Sequence, residues 1–272
     1  MLLLDFFEYL TTPCSWLARS MGFLTSSLQV QARYRRCRGA WEPHLVETRR
    51  VILDAALLCP EQRNAVIFGA GLLHDIPLRE LSAMFREVTL VDIVFPWSSR
   101  LAARRFQNVR LIEADATETL HLISRERAAP LPHSQPTRFL DDRALDFTVS
   151  VNLLSQLPVI PKRYLRRKAS AALETWSRDL QAAHLDYLCG LRGRVTVISD
   201  TGGMHRDRSG AIFHRWDNLH GLAMPAPSAE WEWNLAPAPE ADPDLDHVVR
   251  VAAYSNWSKR VASRSAFVNH PG

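Results

Sequence analysis

The chain has 272 residues, 47% of them hydrophobic and 23% charged, with a formal net charge of +4. That length and apolar content suit one sizeable α/β domain with an accessory segment and exclude a wholly disordered chain. Arginine carries nearly all of the positive charge, lysine standing only at Lys162, Lys168 and Lys259, so the balance reads as residue usage and no nucleic-acid partner is expected.

Cys14, Cys37, Cys59 and Cys189 form no C-x-x-C pair, which argues against a disulfide framework or a zinc site and fits a reducing compartment. The opening "MLLLDFFEYL" holds Asp5 and Glu8 where a signal peptide carries positive charge, and no apolar run reaches the ~20 residues needed to span a bilayer. The expectation is a soluble, cytoplasmic protein with no membrane partner.

Residues 7–28 and 44–58 repeat apolar positions every three or four residues and read as helices, the second bounded by Pro43 and Pro60. The basic stretch "ARYRRCRGAWEPH" between them reads as a short connection. It either packs one aromatic against the body or brings Trp41 and His44 to a substrate. Residues 1–60 are therefore expected to form a helical cap, and residues 61–272 the main domain.

From residue 65 the pattern changes. Strands are expected at 65–69, 88–93, 109–113, 146–151 and 194–199, separated by helices at 77–85, 97–105, 117–127 and 162–190. Apolar strands alternating with helices imply a parallel sheet covered on both faces. The Pro-rich loop "RAAPLPHSQPTRFLDD" is given no role, since surface insertions tolerate length. After residue 220, "EWEWNLAP" and "HVVRVAAY" follow without a helix between them and should pair as an antiparallel hairpin at one side of the sheet.

The chemistry starts at the first turn of that sheet. "AVIFGAGLLHDIPL" ends an apolar strand in Gly69-Ala70-Gly71, and Asp75 and Pro77 then mark a helix start. Glycines permit a tight turn and close approach of a ligand to the main chain, and a helix N-terminus favours electron-rich groups. Asp92 lies 21 residues after Gly71, at the end of the next strand, where a carboxylate accepts from ribose hydroxyls in nucleotide folds, or caps a helix. Asp115, just past the third strand, either reaches an adenine amino group or caps the following helix. All three features stand at carboxyl ends of successive strands, the ligand edge of open α/β sheets. His74 occupies the place of the third dinucleotide-fold glycine, which disfavours a pyrophosphate and suits a ligand without one, such as S-adenosylmethionine (SAM).

On these residues the stretch 64–256 resembles a class I SAM-dependent methyltransferase. "AVIFGAGLLHD", "TLVDI", "EADAT" and "LDFTVSVNLLSQLP" stand as its motifs, and the closing hairpin as its sixth and seventh strands. Leu73 departs from the commoner Gly-x-Gly-x-Gly. The resemblance implies a Rossmann-like, seven-stranded, mostly parallel sheet with a C-terminal antiparallel hairpin. It also implies that the turn of Gly69, Ala70 and Gly71 approaches the SAM tail, that Asp92 holds the ribose, and that Asp115 meets the adenine. Asn152 is placed beside the cofactor's methyl group.

Methyl transfer from a sulfonium is an in-line displacement, so alignment and exclusion of water matter most. A base is needed only for an acceptor that carries a proton. Asn152 and Gln156 in "SVNLLSQLP" either orient an acceptor or satisfy backbone groups in the turn, and His205 in "VISDTGGMHRD" is the first choice for a base, the alternative being a plain loop histidine. Trp41 and His44 are expected on the substrate side. No histidine shows paired metal-ligand spacing, so no metal is expected. The expected function is methyl transfer to a small molecule. The alternatives are an NAD(P)-dependent oxidoreductase, disfavoured by His74 and the hairpin, and a non-catalytic or RNA-binding protein that uses residues 33–38 and 162–168.

Overall fold

A computed structural model describes residues 3–125, 131–165 and 170–257. In chain order the elements are α1 (Leu3–Thr11), α2 (Trp16–Met21), α3 (Phe23–Ala56), β1 (Asn64–Phe68), α4 (Leu78–Met84), β2 (Glu87–Asp92), α5 (Trp97–Ala103), β3 (Val109–Glu113), α6 (Leu120–Arg125) and β4 (Leu145–Val151). After a 3-10 turn at Leu154–Gln156 follow α7 (Val159–Tyr164), α8 (Ser170–Gly190), β5 (Arg194–Asp207), β6 (Ile212–Asp217), β7 (Ala229–Ala236) and β8 (Leu245–Tyr254). No described helix is long and apolar enough to cross a membrane.

The strands join in one sheet of order β3-β2-β1-β4-β5-β8-β7, with β6 paired to β5 off that path. The pairs among β1 to β5 are parallel, and those of β5 with β6, β5 with β8 and β7 with β8 are antiparallel. The sheet is thus Rossmann-like and mostly parallel in its first half, as expected, but among the described residues it has eight strands rather than seven, β6 lying off the seven-strand path. Successive strand residues point to opposite faces. Val66 and Phe68 enter the core on the side that also holds Leu188 of α8, whereas Ala65 and Ile67 enter the one that also holds Val51 and Ile52 of α3. Every residue of β4 is buried, its polar Asp146, Thr148 and Ser150 included, because the strand lies between β1 and β5 in the middle of the sheet with both faces covered.

Three expectations need correction. The basic stretch around Tyr34 and Trp41 is not a connection. It lies inside α3, a helix of 34 residues that takes a non-helical conformation only at Cys37 and carries Pro43 within it. Its buried residues (Leu24, Leu28, Gln31, then Cys37, Trp41, His44, Leu45, Thr48, Val51, Ile52) keep the three-and-four spacing on either side of that break. The break precedes Gly39 and Pro43, the residue types that weaken a helix interior most. Next, the helix expected over 162–190 is two helices, α7 and α8, and residues 166–169 of its basic run lie outside the described part. Finally, β5 runs eight residues past the expected end and pairs with the unforeseen β6. Its Gly202-Gly203 is no loop: a Cβ on Gly203 would stand 2.2 Å from the Trp216 ring of β6, so only glycine lets that indole lie on the strand.

Candidate active site

β1 has β2 on one side and β4 on the other, so the chain reverses its direction of winding between β1 and β4. The crevice at their carboxyl ends is where such sheets bind ligands. A cavity of about 350 Å³ opens there, at the small end of the range for small-molecule sites. One wall is the sheet edge: Gly69, Gly71, Asp75, Asp92, Asp115, Asn152 and Gln156 all line it. The opposite wall is apolar and aromatic, built from Phe23, Val30, Trp41, His44 and Leu45 of α3 with Trp233, Leu235 and Val249 of β7 and β8.

The two glycines are explained first by the fold. Gly69 has φ +82°, and a Cβ there would meet the Val151 carbonyl oxygen at 2.2 Å. At Gly71 a Cβ would lie 2.9 Å from Asp92 Oδ2 and 3.0 Å from the Val94 oxygen. Ala70 is fully buried in the core below the turn and does not line the cavity; its side chain takes no part in the site.

Asp92 fastens the ends of β1 and β2. Its Oδ2 accepts from Gly71 N at 2.8 Å, and its Oδ1 from Ile93 N at 2.7 Å and, more weakly, from Val94 N at 3.4 Å. A carboxylate has about four acceptor positions, so one strong position remains open, and a second only if the Val94 contact yields. Burial pushes its carboxyl up to about 6 despite these donors, and Asp75 adds to the shift whenever it is ionised.

Asp115 is different. Its Oδ1 accepts from the backbone N–H and hydroxyl of Thr117, and its Oδ2 from Thr119 N and Leu120 N, all within 2.7–2.9 Å. The carboxylate is consumed in starting α6, so any contact it makes with an adenine has to share donors already placed. The capping role is the one its geometry fulfils.

Asn152 adopts φ +48° immediately after β4, its own N–H donating to the Ile198 oxygen at 2.8 Å. This turns its amide into the cavity. As placed, its Nδ2 donates to Asp75 Oδ2 at 2.7 Å and lies 3.3 Å from His44 Nε2, and its Oδ1 is buried without a partner. His44 is buried, stacked on Trp233 at 3.9 Å with 4° between planes, and its Nδ1 accepts from the Trp231 indole at 3.0 Å. Burial depresses its imidazole to about 3, so it is neutral across the physiological range. Trp41 packs edge-on against Trp233 at 4.8 Å and donates to the Leu235 oxygen at 2.9 Å.

His74 stacks on Tyr34 at 3.7 Å and is held near 4 by burial, its carbonyl accepting from Arg49. Asp200 accepts from Ser155 Oγ and, at 2.6 Å, from Asn218 Nδ2, and burial raises its carboxyl. Gln156 donates to that same Ser155 hydroxyl at 3.1 Å.

His205 does not join the site. It lies on β5 opposite His214 of β6 and His247 of β8, with Trp216 at 4.9 Å, and is not part of the cavity wall. The expected base role of His205 therefore finds no support in the geometry of this cavity. Sequence reasoning missed the β7 and β8 wall, for which the signal was the aromatic alternation of Trp231 and Trp233. It also passed over Asp75, noted only as a helix signal. Among the described residues no group of three or more His, Cys, Asp or Glu side chains is arranged to hold a metal ion.

No protein-family profile matches the chain, and no curated protein sequence does. Among solved structures it is similar to the N-methyltransferase NodS from Bradyrhizobium japonicum, in complex with S-adenosyl-L-homocysteine, at 13% identity over 78% of this chain and 86% of that one, with a TM-score of 0.38. It is also similar to the 1,6-didemethyltoxoflavin N1-methyltransferase of Burkholderia thailandensis, at 16% identity over 89% and 92% of the two chains, with a TM-score of 0.37. A Leishmania major SAM-dependent methyltransferase is similar at 14% identity over 91% and 81%, with a TM-score of 0.33.

Proposed function

We propose that the chain is a SAM-dependent methyltransferase whose acceptor is a small molecule. The observation that carries this is the position of Asp92. A desolvated carboxylate, already fixed by Gly71 N at the carboxyl edge of a parallel sheet, keeps an acceptor position open toward a cavity. A ribose hydroxyl is a donor suited to it. The unpartnered end of the Asn152 amide and the Asp75 carboxyl on the same wall fit a ligand with a polar tail. They oppose a pyrophosphate, which would face that carboxyl. Bound there, SAM supplies an electrophilic methyl group on a sulfonium.

The chain's own residues then hold and exclude. Asp92 anchors one end of the ligand, and Asn152 and Gln156 line the edge nearest the apolar wall. Trp41, Trp233 and Leu235 shield the acceptor from water, so proximity in a dry site supplies the rate. The size of the cavity favours a small acceptor over a macromolecular one. Isothermal titration of the full chain with SAM, S-adenosylhomocysteine and NAD tests the reading. Binding of the first two and not the third is expected, and binding of NAD alone overturns it.

A further inference from the structure

The row of polar groups from Trp231 to Asp75 has a hydrogen count that fixes its protonation. An indole N–H can only donate, so His44 Nδ1, 3.0 Å from Trp231 Nε1, must be the bare nitrogen of the ring. A neutral imidazole then carries its proton on Nε2, and that N–H needs an acceptor. The group facing it at 3.3 Å is the Asn152 amide, placed with its nitrogen toward the ring. Nitrogen and oxygen of an amide have the same shape, and only their partners distinguish them. The imidazole N–H requires the oxygen there. The same atom lies 2.7 Å from Asp75 Oδ2. Two bare oxygens at that distance repel, whereas a carboxylic O–H to an amide oxygen is an ordinary hydrogen bond.

We propose that Asp75 carries a proton on Oδ2 when the site holds no ligand, donating it to Asn152 Oδ1, and that it ionises when a cationic group of a ligand enters the cavity beside it. On ionisation the O–H bond of Oδ2 breaks and the proton passes to solvent. The amide must then turn its nitrogen to the carboxylate, which sets N–H against N–H at His44 and strains the bond to Trp231. Ionisation of Asp75 is thereby coupled to the wall formed by β7.

The surrounding charges are compatible with this. Burial raises the Asp75 carboxyl, whereas the Asn152 amide, when its nitrogen faces Oδ2, favours the ionised form, as does Arg49 of α3, whose guanidinium donates to the His74 carbonyl. Asp92 faces it with like charge, and His44 and His74 are both held neutral by burial. Without ligand the free end of Asn152 is then an N–H₂ donor, and once Asp75 ionises and the amide turns, that end becomes an oxygen acceptor for the ligand. Only the identity of the ligand rests on the methyltransferase reading.

Infrared difference spectra at pH 8, where Asp92 is ionised, test the first half on the full chain without ligand. Wild type minus Asp75→Asn should show one protonated-carboxyl C=O band, and its absence overturns the proposal. If Asp75→Asn does not fold, Trp231→Phe serves. Without the indole donor, His44 can hold its proton on Nδ1 and the band should be lost at pH 8, so its persistence overturns the coupling. For the second half, SAM is titrated at pH 8 in two buffers of different ionisation enthalpy. Proton uptake by the amino group of SAM is common to both proteins, so wild type should release one proton more per SAM bound than Asp75→Asn does. An equal proton balance in the two overturns that half alone. No binding heat at all overturns it together with the methyltransferase reading, and leaves the infrared result standing.

Discussion

Replacing Asp92 by asparagine separates what this carboxylate does for the fold from what it does for a ligand. Burial raises the group from 3.8 to about 6, so at pH 7 its ionised form costs roughly 3 kcal/mol of stability, at ~1.36 kcal/mol per pH unit. The sign follows from the raised folded-state value. Below about pH 4 the group is protonated folded or unfolded and the cost is absent; it grows between pH 4 and 6 and is complete above 6. In Asp92→Asn the amide oxygen still accepts from Gly71 N or Ile93 N, but the other N–H then faces the amide nitrogen, a loss of about 1–3 kcal/mol. The two effects nearly cancel, so chemical denaturation at pH 7 should show Asp92→Asn within ~1 kcal/mol of wild type. SAM affinity should nevertheless fall, because a charge-assisted hydrogen bond contributes ~1.5–3 kcal/mol, or about 10- to 100-fold. In wild type, SAM binding should also weaken as the pH drops below 6, and Asp92→Asn should lose that dependence. An Asp92→Asn protein that is clearly less stable yet binds SAM with wild-type affinity would refute the reasoning and leave Asp92 a strand fastener.

Asp115→Ala should lower stability by about 1–2 kcal/mol in a thermal melt through the lost start of α6, with a smaller effect on SAM binding in whatever remains folded than Asp92→Ala shows. Trp233→Ala should raise the acceptor KM or lower kcat while leaving SAM affinity within about threefold, because the indole belongs to the apolar wall; steady-state kinetics with SAM saturating would show the split. His205→Ala should leave methyl transfer unchanged at every pH where the protein is folded, and a pH-rate profile that loses a limb in this variant would return His205 to the chemistry.

Much of this arrangement is legible in the residues. The strands at 64–68 and 87–92 announce themselves as largely apolar runs, those at 109–113 and 145–151 by apolar residues interleaved with polar ones, and Gly71 and Asp92 by their separation. What escapes is whatever depends on distant partners. The stretch 32–44 is polar on one face and holds Gly39 and Pro43, so local propensity argues for a break, yet Trp41 and His44 find β7 some 190 residues away and packing overrides propensity. Gly202 and Gly203 look like a turn because the indole that requires them lies on another strand. Asp115 shows the opposite difficulty: a carboxylate at a strand end serves a cap or a ligand equally well in one dimension, and only its four local donors decide.

The place of β8 has a bearing on how the protein is made. It lies between β5 and β7 in the sheet although it follows both in sequence. When β7 leaves the ribosome it has no strand to pair with, and Trp231 and Trp233 have only α3 to cover them until β8 arrives. Long-range pairings of this kind form slowly, and their apolar edges are exposed meanwhile. The aromatic wall of the cavity is therefore among the last parts of the molecule to become fixed. A chain ending before Leu245 would retain the parallel strands and the Asp92 turn but lack the scaffold that holds that wall.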